Sequence, residues 1–299
     1  MFYMNKLNRT LLVMALVSLG ELTLISPSLA NVLSDASGLD IDIEAASTAA
    51  WRPEGSNAVE LGLAIFSEAD RRDRGYVDVI VDMRMVLRTQ KGRETNRTLR
   101  IQQLEVLEDG DKAIVVFDSP SSIRGTALLS HGHLRGDDDQ WLFLPALKRV
   151  KKIASRNKSR TFVGSEFSFE DLAPPDLTKF TYEFINEEDC GSHRCYVVDR
   201  FPIDKFSGYV RQRVWLEQEH LTIQQIEYTN RQAQLAKRLV LGGYEQFEGR
   251  FWRPGFMRMD NLITGRSTDL HWQNYKFGND LTDDRHFSVN ALRRARASG

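Results

Sequence analysis

Hydrophobic and polar residues alternate along much of this chain, and the first long example lies between residues 77 and 88. Apolar side chains occupy every second position there, while aspartate and arginine fill most of the positions between them. The apolar positions are Val77, Val79, Val81, Met83, Met85 and Leu87. Because successive side chains of a β-strand point to opposite faces of its sheet, this pattern predicts a strand with one buried and one solvated face.

Segments with similar patterns follow at short intervals, and turns containing Gly or Asn separate many of them. Strands are predicted at 98–108, 112–118, 126–132, 140–145, 179–185, 194–200, 209–217, 221–229, 236–244, 251–261 and 267–277. In the first of these, the apolar residues stand at odd-numbered positions before Gln102 and Gln103 and at even-numbered positions after them, which predicts a β-bulge. Meandering strands without βαβ alternation indicate antiparallel β structure with a few helices. Strands this long favour one strongly curved sheet, either a closed barrel or a half-barrel capped by helices.

One helix is predicted before these strands, from about Ala58 to Arg72. Apolar residues recur at helical spacing within it, Ser56 or Asn57 can cap its first turn, and Gly75 follows its end. A second, short helix is predicted at 288–296. The helices are too few to form a layer of their own, so they are expected to cover part of the sheet.

The chain begins with a segment typical of exported proteins. Lys6 and Arg9 precede a short apolar run, and Ser28-Leu29-Ala30 is a sequence of the kind that signal peptidase cuts. We therefore predict a secretory signal peptide at 1–30, cleaved after Ala30, a flexible leader at 31–55 and a single domain at 56–299. The alternative is an uncleaved anchor, although the apolar run is shorter than the roughly 20 residues of a membrane-spanning helix.

Charge and cysteine content narrow the function further. The chain has 40 basic and 41 acidic residues, a balance that argues against nucleic-acid binding. Residues 148–160 depart from this balance, because seven of these thirteen residues are Lys or Arg and none is acidic. Cys190 and Cys195 lie in the exported part, where disulfides persist, and their spacing suits a bridge across a tight turn. The alternative, a metal site with His193, lacks a fourth ligand nearby.

The sequence contains no local motif for catalysis: we find no Gly-rich phosphate loop, no GxSxG and no HExxH. His131 and His133 alternate on a predicted strand near Asp137–Asp139, which is a geometry that a metal ion needs. The surrounding glycines and aspartates favour a solvated turn instead. We therefore expect no enzymatic activity, no metal site and no cofactor.

Four segments resemble a known family. PSSIRGTALL (120–129), DDQWLFLPALKRVKKI (138–153), FVGSEFSFEDL (162–172) and WRPGFMRMDN (252–261) are similar to the LolA-like outer-membrane lipoprotein-sorting proteins, in a largely uncharacterised branch that includes a treponemal lipoprotein. The resemblance covers roughly 56–290. It implies an unclosed, strongly curved antiparallel half-barrel capped by helices over an apolar cavity. It also implies a periplasmic carrier of lipids, lipoprotein acyl chains or other hydrophobic cargo. Unlike the treponemal lipoprotein, this chain lacks a lipobox cysteine.

The resemblance and the strand parities together indicate candidate site residues. Those expected to contact cargo are Val81, Met83, Met85, Leu87, Trp141, Phe143, Phe167 and Phe169, with ordinary core packing as the alternative for each. The cationic residues Lys148, Arg149, Lys151 and Lys152 are expected in a loop at the cavity rim. There they would meet anionic headgroups or a partner, such as an inner-membrane transporter or an outer-membrane acceptor, and the alternative is a solvated loop.

Other functional hypotheses remain at this stage. The leading alternative to a carrier is an accessory subunit of an RND-type envelope export complex that holds protein in its groove. A third hypothesis is an enzyme acting on a lipid. The protein is expected to be a monomer that touches membranes transiently.

Overall fold

The computed structural model describes residues 51–174 and 176–294. Its helices are α1 (Ala58–Asp73), α2 (Asp283–His286) and α3 (Val289–Arg294). Its strands are β1 (Asp78–Arg88), β2 (Glu94–Leu104), β3 (Lys112–Ser119), β4 (Ala127–His131), β5 (Asp139–Leu144), β6 (Arg149–Lys152), β7 (Phe180–Cys190), β8 (His193–Pro202), β9 (Tyr209–Glu217), β10 (Ile223–Asn230), β11 (Leu235–Phe247), β12 (Phe251–Asn261) and β13 (Arg266–Phe277). The predicted signal peptide and most of the predicted leader lie outside the described residues.

All thirteen strands belong to one antiparallel sheet, in the order β6-β5-β4-β3-β2-β1-β13-β12-β11-β10-β9-β8-β7. The chain runs outward from β1 to β6 and then crosses to the opposite edge. From β7 it returns strand by strand until β13 pairs with β1. We call residues 153–179, which connect the two edges, the crossing segment. Since β6 and β7 do not pair, the sheet is an unclosed half-barrel, and the closed-barrel alternative is wrong.

A single apolar cluster, the inner core, covers one face of the sheet. Strands near both edges contribute to it, for example Leu128 of β4 and Tyr196 of β8, so the sheet must curve around it. Phe162, Phe167 and Phe169 of the crossing segment also belong to this cluster. The crossing segment therefore runs over the inner face and fills part of the half-barrel.

Helix α1 covers another part of the inner face, next to β7. Its start confirms the predicted cap, because the Asn57 side chain accepts hydrogen bonds from the Val59 and Glu60 amides at 3.0 Å. At Gly62 the helix lies directly on the β7 backbone: a Cβ there would approach the Glu183 and Phe184 amide nitrogens to 2.9 Å. Glycine thus permits a close helix–strand contact that a larger residue would prevent.

The outer face of the sheet is covered only locally among the described residues. A second apolar cluster lies on this face, between β3, β4 and the C-terminal helical region. Its buried members are Ile114, Val116, Ala127 and Leu129 of the strands, together with Phe287 and Leu292. The predicted C-terminal helix is therefore confirmed as α3, and the last two residues of the prediction, 295–296, lie outside the described residues. It packs on the outside of the half-barrel and away from the inner core.

Three local predictions are corrected. β2 pairs with β1 without a register shift and ends at Leu104, so the parity change after Gln103 marks a strand end and not a bulge. A register shift against β3 lies instead between Thr98 and Leu99.

Val77 precedes β1 and is exposed, with a positive φ of 61°. The cationic residues were expected in a loop, yet Arg149–Lys152 is the edge strand β6.

Candidate functional site

The main cavity, of about 880 Å³, lies between the end of α1 and the strands β10–β13. Its apolar wall includes Val81, Ile223, Leu241, Met257 and Trp272. These side chains belong to the inner core or pack against it. The cavity is therefore a part of the half-barrel interior that neither α1 nor the crossing segment fills.

Strand register explains how this wall is built. Leu241 of β11 pairs with Met257 of β12, so both side chains reach the same face of the sheet. Between this pair and the β11–β12 turn, Gly243 adopts a positive φ of 62° and its carbonyl lies 2.9 Å from where a Gly255 Cβ would be. Two facing glycines therefore allow the two backbones to approach closely beside the cavity.

Polar atoms in the wall are mostly satisfied. The Tyr244 hydroxyl donates to the Ile223 carbonyl at 2.5 Å, and the Tyr275 hydroxyl donates to the Pro254 carbonyl at 3.1 Å. The indole Nε1 of Trp272 is buried and has no hydrogen-bond partner among the described residues. A bound acceptor group could take up this donor at little cost, because an unpaired buried N–H is unfavourable.

Charged residues surround the cavity at the end nearest α1. Arg72 donates to the Glu219 carbonyl at 2.7 Å and pairs with Glu68 at 2.8 Å. Arg253 pairs with Asp73. Burial raises the pKa of Asp73, and the nearby Arg253 opposes that rise. Burial also raises the pKa of Asp111, whose carboxylate accepts from the Tyr76 hydroxyl.

A second cavity, of about 570 Å³, lies beside the crossing segment, and both apolar and ionic side chains line it. Lys158 pairs with Asp204 there, and Lys179 pairs with Asp138 at 2.9 Å. Displacing such pairs with hydrocarbon would leave charges without partners. An apolar ligand in this cavity would therefore have to leave these two ion pairs intact.

The crossing segment is fastened by three carboxylates. Glu166 pairs with Arg266 at 2.9 Å and accepts from Asn261 at 2.7 Å, at the β12–β13 turn. Glu170 accepts from the Ser207 hydroxyl and the Gly208 amide, and burial raises its pKa. Asp171 accepts from the Tyr209 hydroxyl at 3.0 Å. These contacts hold the aromatic residues of the segment against the inner core.

The structure separates the predicted cargo residues into three groups. Val81 lines the main cavity. A second group of five residues packs in or against the inner core and does not line the main cavity. Its members are the buried Met83, Met85, Phe167 and Phe169 and the partly buried Leu87. Trp141 and Phe143 lie on the outer face, in the cluster that contains Phe287 and Leu292. They therefore do not share a surface with Val81.

The cationic residues lie together along the β6 edge of the sheet, and we call Lys148, Arg149, Lys151 and Lys152 the cationic edge. Lys152 pairs with Asp139 at 2.6 Å and lies 5.5 Å from the Trp141 ring centroid. Arg149 and Lys151 are exposed and form no ion pair within the described part of the chain. Because β6 is an edge strand, it presents unpaired backbone groups and positively charged side chains along the same edge of the sheet.

The two cysteines and the two histidines considered as metal ligands contact other protein groups. Cys190 and Cys195 form the predicted disulfide, which joins the ends of β7 and β8 across their turn, with a Cα–Cα distance of 5.9 Å. The His131 ring contacts the Phe287 carbonyl at 2.6 Å, and His133 pairs with Asp109 at 2.7 Å. Within residues 51–174 and 176–294, no group of three or more His, Cys, Asp or Glu side chains is arranged to hold a metal ion.

Sequence reasoning missed most of the cavity wall. It placed Leu241, Met257 and Trp272 in strands but did not distinguish them from the other apolar positions. Strand parity was the only available signal, and it assigns a residue to a face and not to a filled or empty part of that face.

Comparisons with known proteins agree with this architecture. A family model described as an uncharacterized protein matches residues 109–294. No curated protein matches the chain. In the described part of the chain, no helix has the length and apolar character needed to cross a membrane.

Three crystal structures are similar. One is a domain from Vibrio parahaemolyticus, provisionally named as an outer membrane lipoprotein-sorting protein. It is 41% identical, with a TM-score of 0.77, over 79% of this chain and 100% of that one. A DUF1329 family protein from Desulfovibrio piger is 26% identical, with a TM-score of 0.75 over the same shares. A LolA superfamily protein from Nitrosomonas europaea is 20% identical, with a TM-score of 0.62 over 79% and 99%, and it supports the fold alone. The chain belongs to the family of outer membrane lipoprotein-sorting proteins represented by the Vibrio domain, and its fold is LolA-like.

Proposed function

We propose that this protein is a noncatalytic periplasmic carrier that shelters a hydrophobic chain in the main cavity. The main support for this proposal is the space of about 880 Å³ that the side chains of the inner core leave unfilled. The name of the Vibrio relative, which refers to lipoprotein sorting, supports an acyl chain as cargo. The predicted signal peptide, with cleavage after Ala30, supplies the route to the periplasm.

Burial of hydrocarbon provides enough free energy for this role. Each methylene removed from water contributes about 0.8 kcal/mol, so a long acyl chain gains roughly 10 kcal/mol before the costs of ordering. Met257 suits varied cargo, because a flexible thioether adapts to different apolar shapes. Trp272 adds a large apolar surface to the same wall.

The cationic edge would bring the carrier to its donor or acceptor. Surface cations near an anionic bilayer contribute about 1 kcal/mol each, which permits reversible docking. Arg149 and Lys151 are exposed and available for this contact. An acidic face on a membrane protein would satisfy the same charges.

Native mass spectrometry of protein purified without detergent from its own host tests the proposal. Co-purifying lipid or acylated peptide, lost in a variant with a polar cavity wall, is the expected result. A stoichiometric protein partner without lipid would replace the carrier with the accessory-subunit role. Chemical turnover of the bound lipid would show an enzyme instead.

A further inference from the structure

The lining of the main cavity changes character along one direction. Leu241, Met257 and Trp272 form its inner part, within the strands. Along β12 the lining extends from Met257 to Trp252, roughly 17 Å of extended chain. Arg250 follows in the β11–β12 turn, and it is exposed. The cavity thus reaches solvent at the turn and becomes apolar with depth.

Positive charge predominates among the charged side chains that line the cavity. Five Lys or Arg side chains line the cavity, against two carboxylates; the cations are Arg71, Arg72, Lys112, Arg250 and Arg253. Asp73 is already paired with Arg253, and Asp111 accepts from the Tyr76 hydroxyl and the Val106 amide. Because both carboxylates are engaged within the protein, they oppose an incoming anion less than free carboxylates would.

Most of these cations pair with carboxylates of the protein, whereas Arg250 has no such pair among the described residues. Arg71 and Arg72 share Glu68, and Lys112 pairs with Asp283. Arg250 lies 5.2 Å from the Phe251 ring centroid and forms no ion pair within residues 51–174 and 176–294. An exposed guanidinium resting on an aromatic ring keeps its donors free for a carboxylate or a phosphate.

Aromatic side chains give this end a fixed shape. His220 stacks on Trp252 with ring centroids 4.3 Å apart and an interplanar angle of 16°. Arg72 lies 5.7 Å from the Trp51 ring centroid, and its bond to the Glu219 carbonyl ties α1 to the β9–β10 turn. The entrance next to Arg250 is therefore bordered by side chains that pack against one another.

We propose that the main cavity selects an amphiphile with an anionic headgroup, whose tail lies against Leu241 and Met257 and whose head meets Arg250. The proposal rests on the carrier function and specifies its ligand class. A fatty acid and a lysophospholipid both provide such a headgroup, as a carboxylate and as a phosphate. Neutral amphiphiles gain the tail contacts but not the contact with Arg250.

Binding of three ligands with the same C16 tail to the delipidated protein tests this inference. The ligands are palmitate, palmitoyl lysophosphatidylglycerol and monopalmitoylglycerol, measured below their micelle concentrations by displacement of a hydrophobic dye. We expect the wild type to bind the two anionic ligands about fivefold more tightly than the neutral one, and to lose this preference in high salt. The stronger of the two anions identifies the headgroup chemistry.

Arg250→Gln is the informative variant, and Arg93→Gln is its matched control. Arg93 is an exposed arginine in the β1–β2 turn, and it forms no ion pair within the described residues. Arg250→Gln should weaken both anionic ligands about fivefold and leave the neutral ligand unchanged, while Arg93→Gln should change none of them. Equal affinities for neutral and anionic ligands, or equal effects of the two variants, would overturn the headgroup inference and leave the carrier standing. No binding of any ligand would overturn both.

Discussion

Replacing Met257 with glutamate should abolish cargo binding while leaving the protein folded. Met257 is only partly buried and lines the main cavity beside its strand partner Leu241. In the unliganded state the new carboxylate can stay hydrated, so we expect a loss of about 1 kcal/mol in the free energy of unfolding, as for an average substitution.

The cost appears when cargo enters. An acyl chain against this wall removes water from the carboxylate without offering a hydrogen bond, and burying a polar group in this way costs roughly 2–7 kcal/mol. Taking about 3 kcal/mol, and 1.4 kcal/mol for each tenfold change in affinity, we expect the dissociation constant to rise by about 150-fold. The penalty should shrink at low pH, where the carboxyl group is protonated.

Dye displacement measures the affinity, and thermal unfolding measures the stability of each variant. Met257→Leu is the conservative control, because it keeps an apolar side chain of similar volume. Val240→Glu is the charge control: Val240 neighbours Leu241 in β11 but is exposed. Both controls should bind cargo like the wild type.

Met85→Glu should behave in the opposite way. Met85 is 1% exposed and packs in the inner core, so a carboxylate there should lower the unfolding temperature strongly.

If Met257→Glu remained folded and bound cargo within threefold of the wild type, the main cavity would not be the cargo site.

Three further predictions concern other parts of the molecule. Reducing the Cys190–Cys195 disulfide should lower the free energy of unfolding by about 2 kcal/mol, because the closed loop is short, and denaturant titration with and without reductant checks this. Changing the three lysines of the cationic edge to glutamine should cost less than about 1 kcal/mol in stability and should weaken binding to acidic vesicles at low salt; equal binding by both proteins in a flotation assay would contradict a docking role. Burial raises the pKa of Glu170 in the folded state, so the folded protein binds more protons than the unfolded chain and stability should fall as pH rises above 4.5; Glu170→Gln should reduce that fall in denaturant titrations across the range.

The sequence determined the local structure well. Period-two alternation located eleven later strands and β1, since the two faces of a strand meet different environments. The capping residues before α1 and the short cysteine spacing predicted contacts between near neighbours in the chain. Such contacts are confirmed because they depend on few residues and little on the rest of the fold.

The tertiary structure alone decided how the strands combine. Pairing of β1 with β13, across most of the domain, left no local signal. Trp141 and Phe143 alternate as a buried strand face should, yet they lie on the outer face of the sheet. That face is buried here because the C-terminal helical region covers it. Parity identifies two faces but not which of them turns inward.

The cavity depended on the same long-range packing. Met85 and Met257 are equivalent by pattern, since both are methionines on the inner face of a strand. The crossing segment packs Phe162, Phe167 and Phe169 into the inner core that contains Met85, while Met257 borders space that no segment fills. A residue's face follows from the two-residue repeat of its own strand. Whether that face is packed or left open depends on a segment nearly a hundred residues away in the chain, so only the folded structure could distinguish the two methionines.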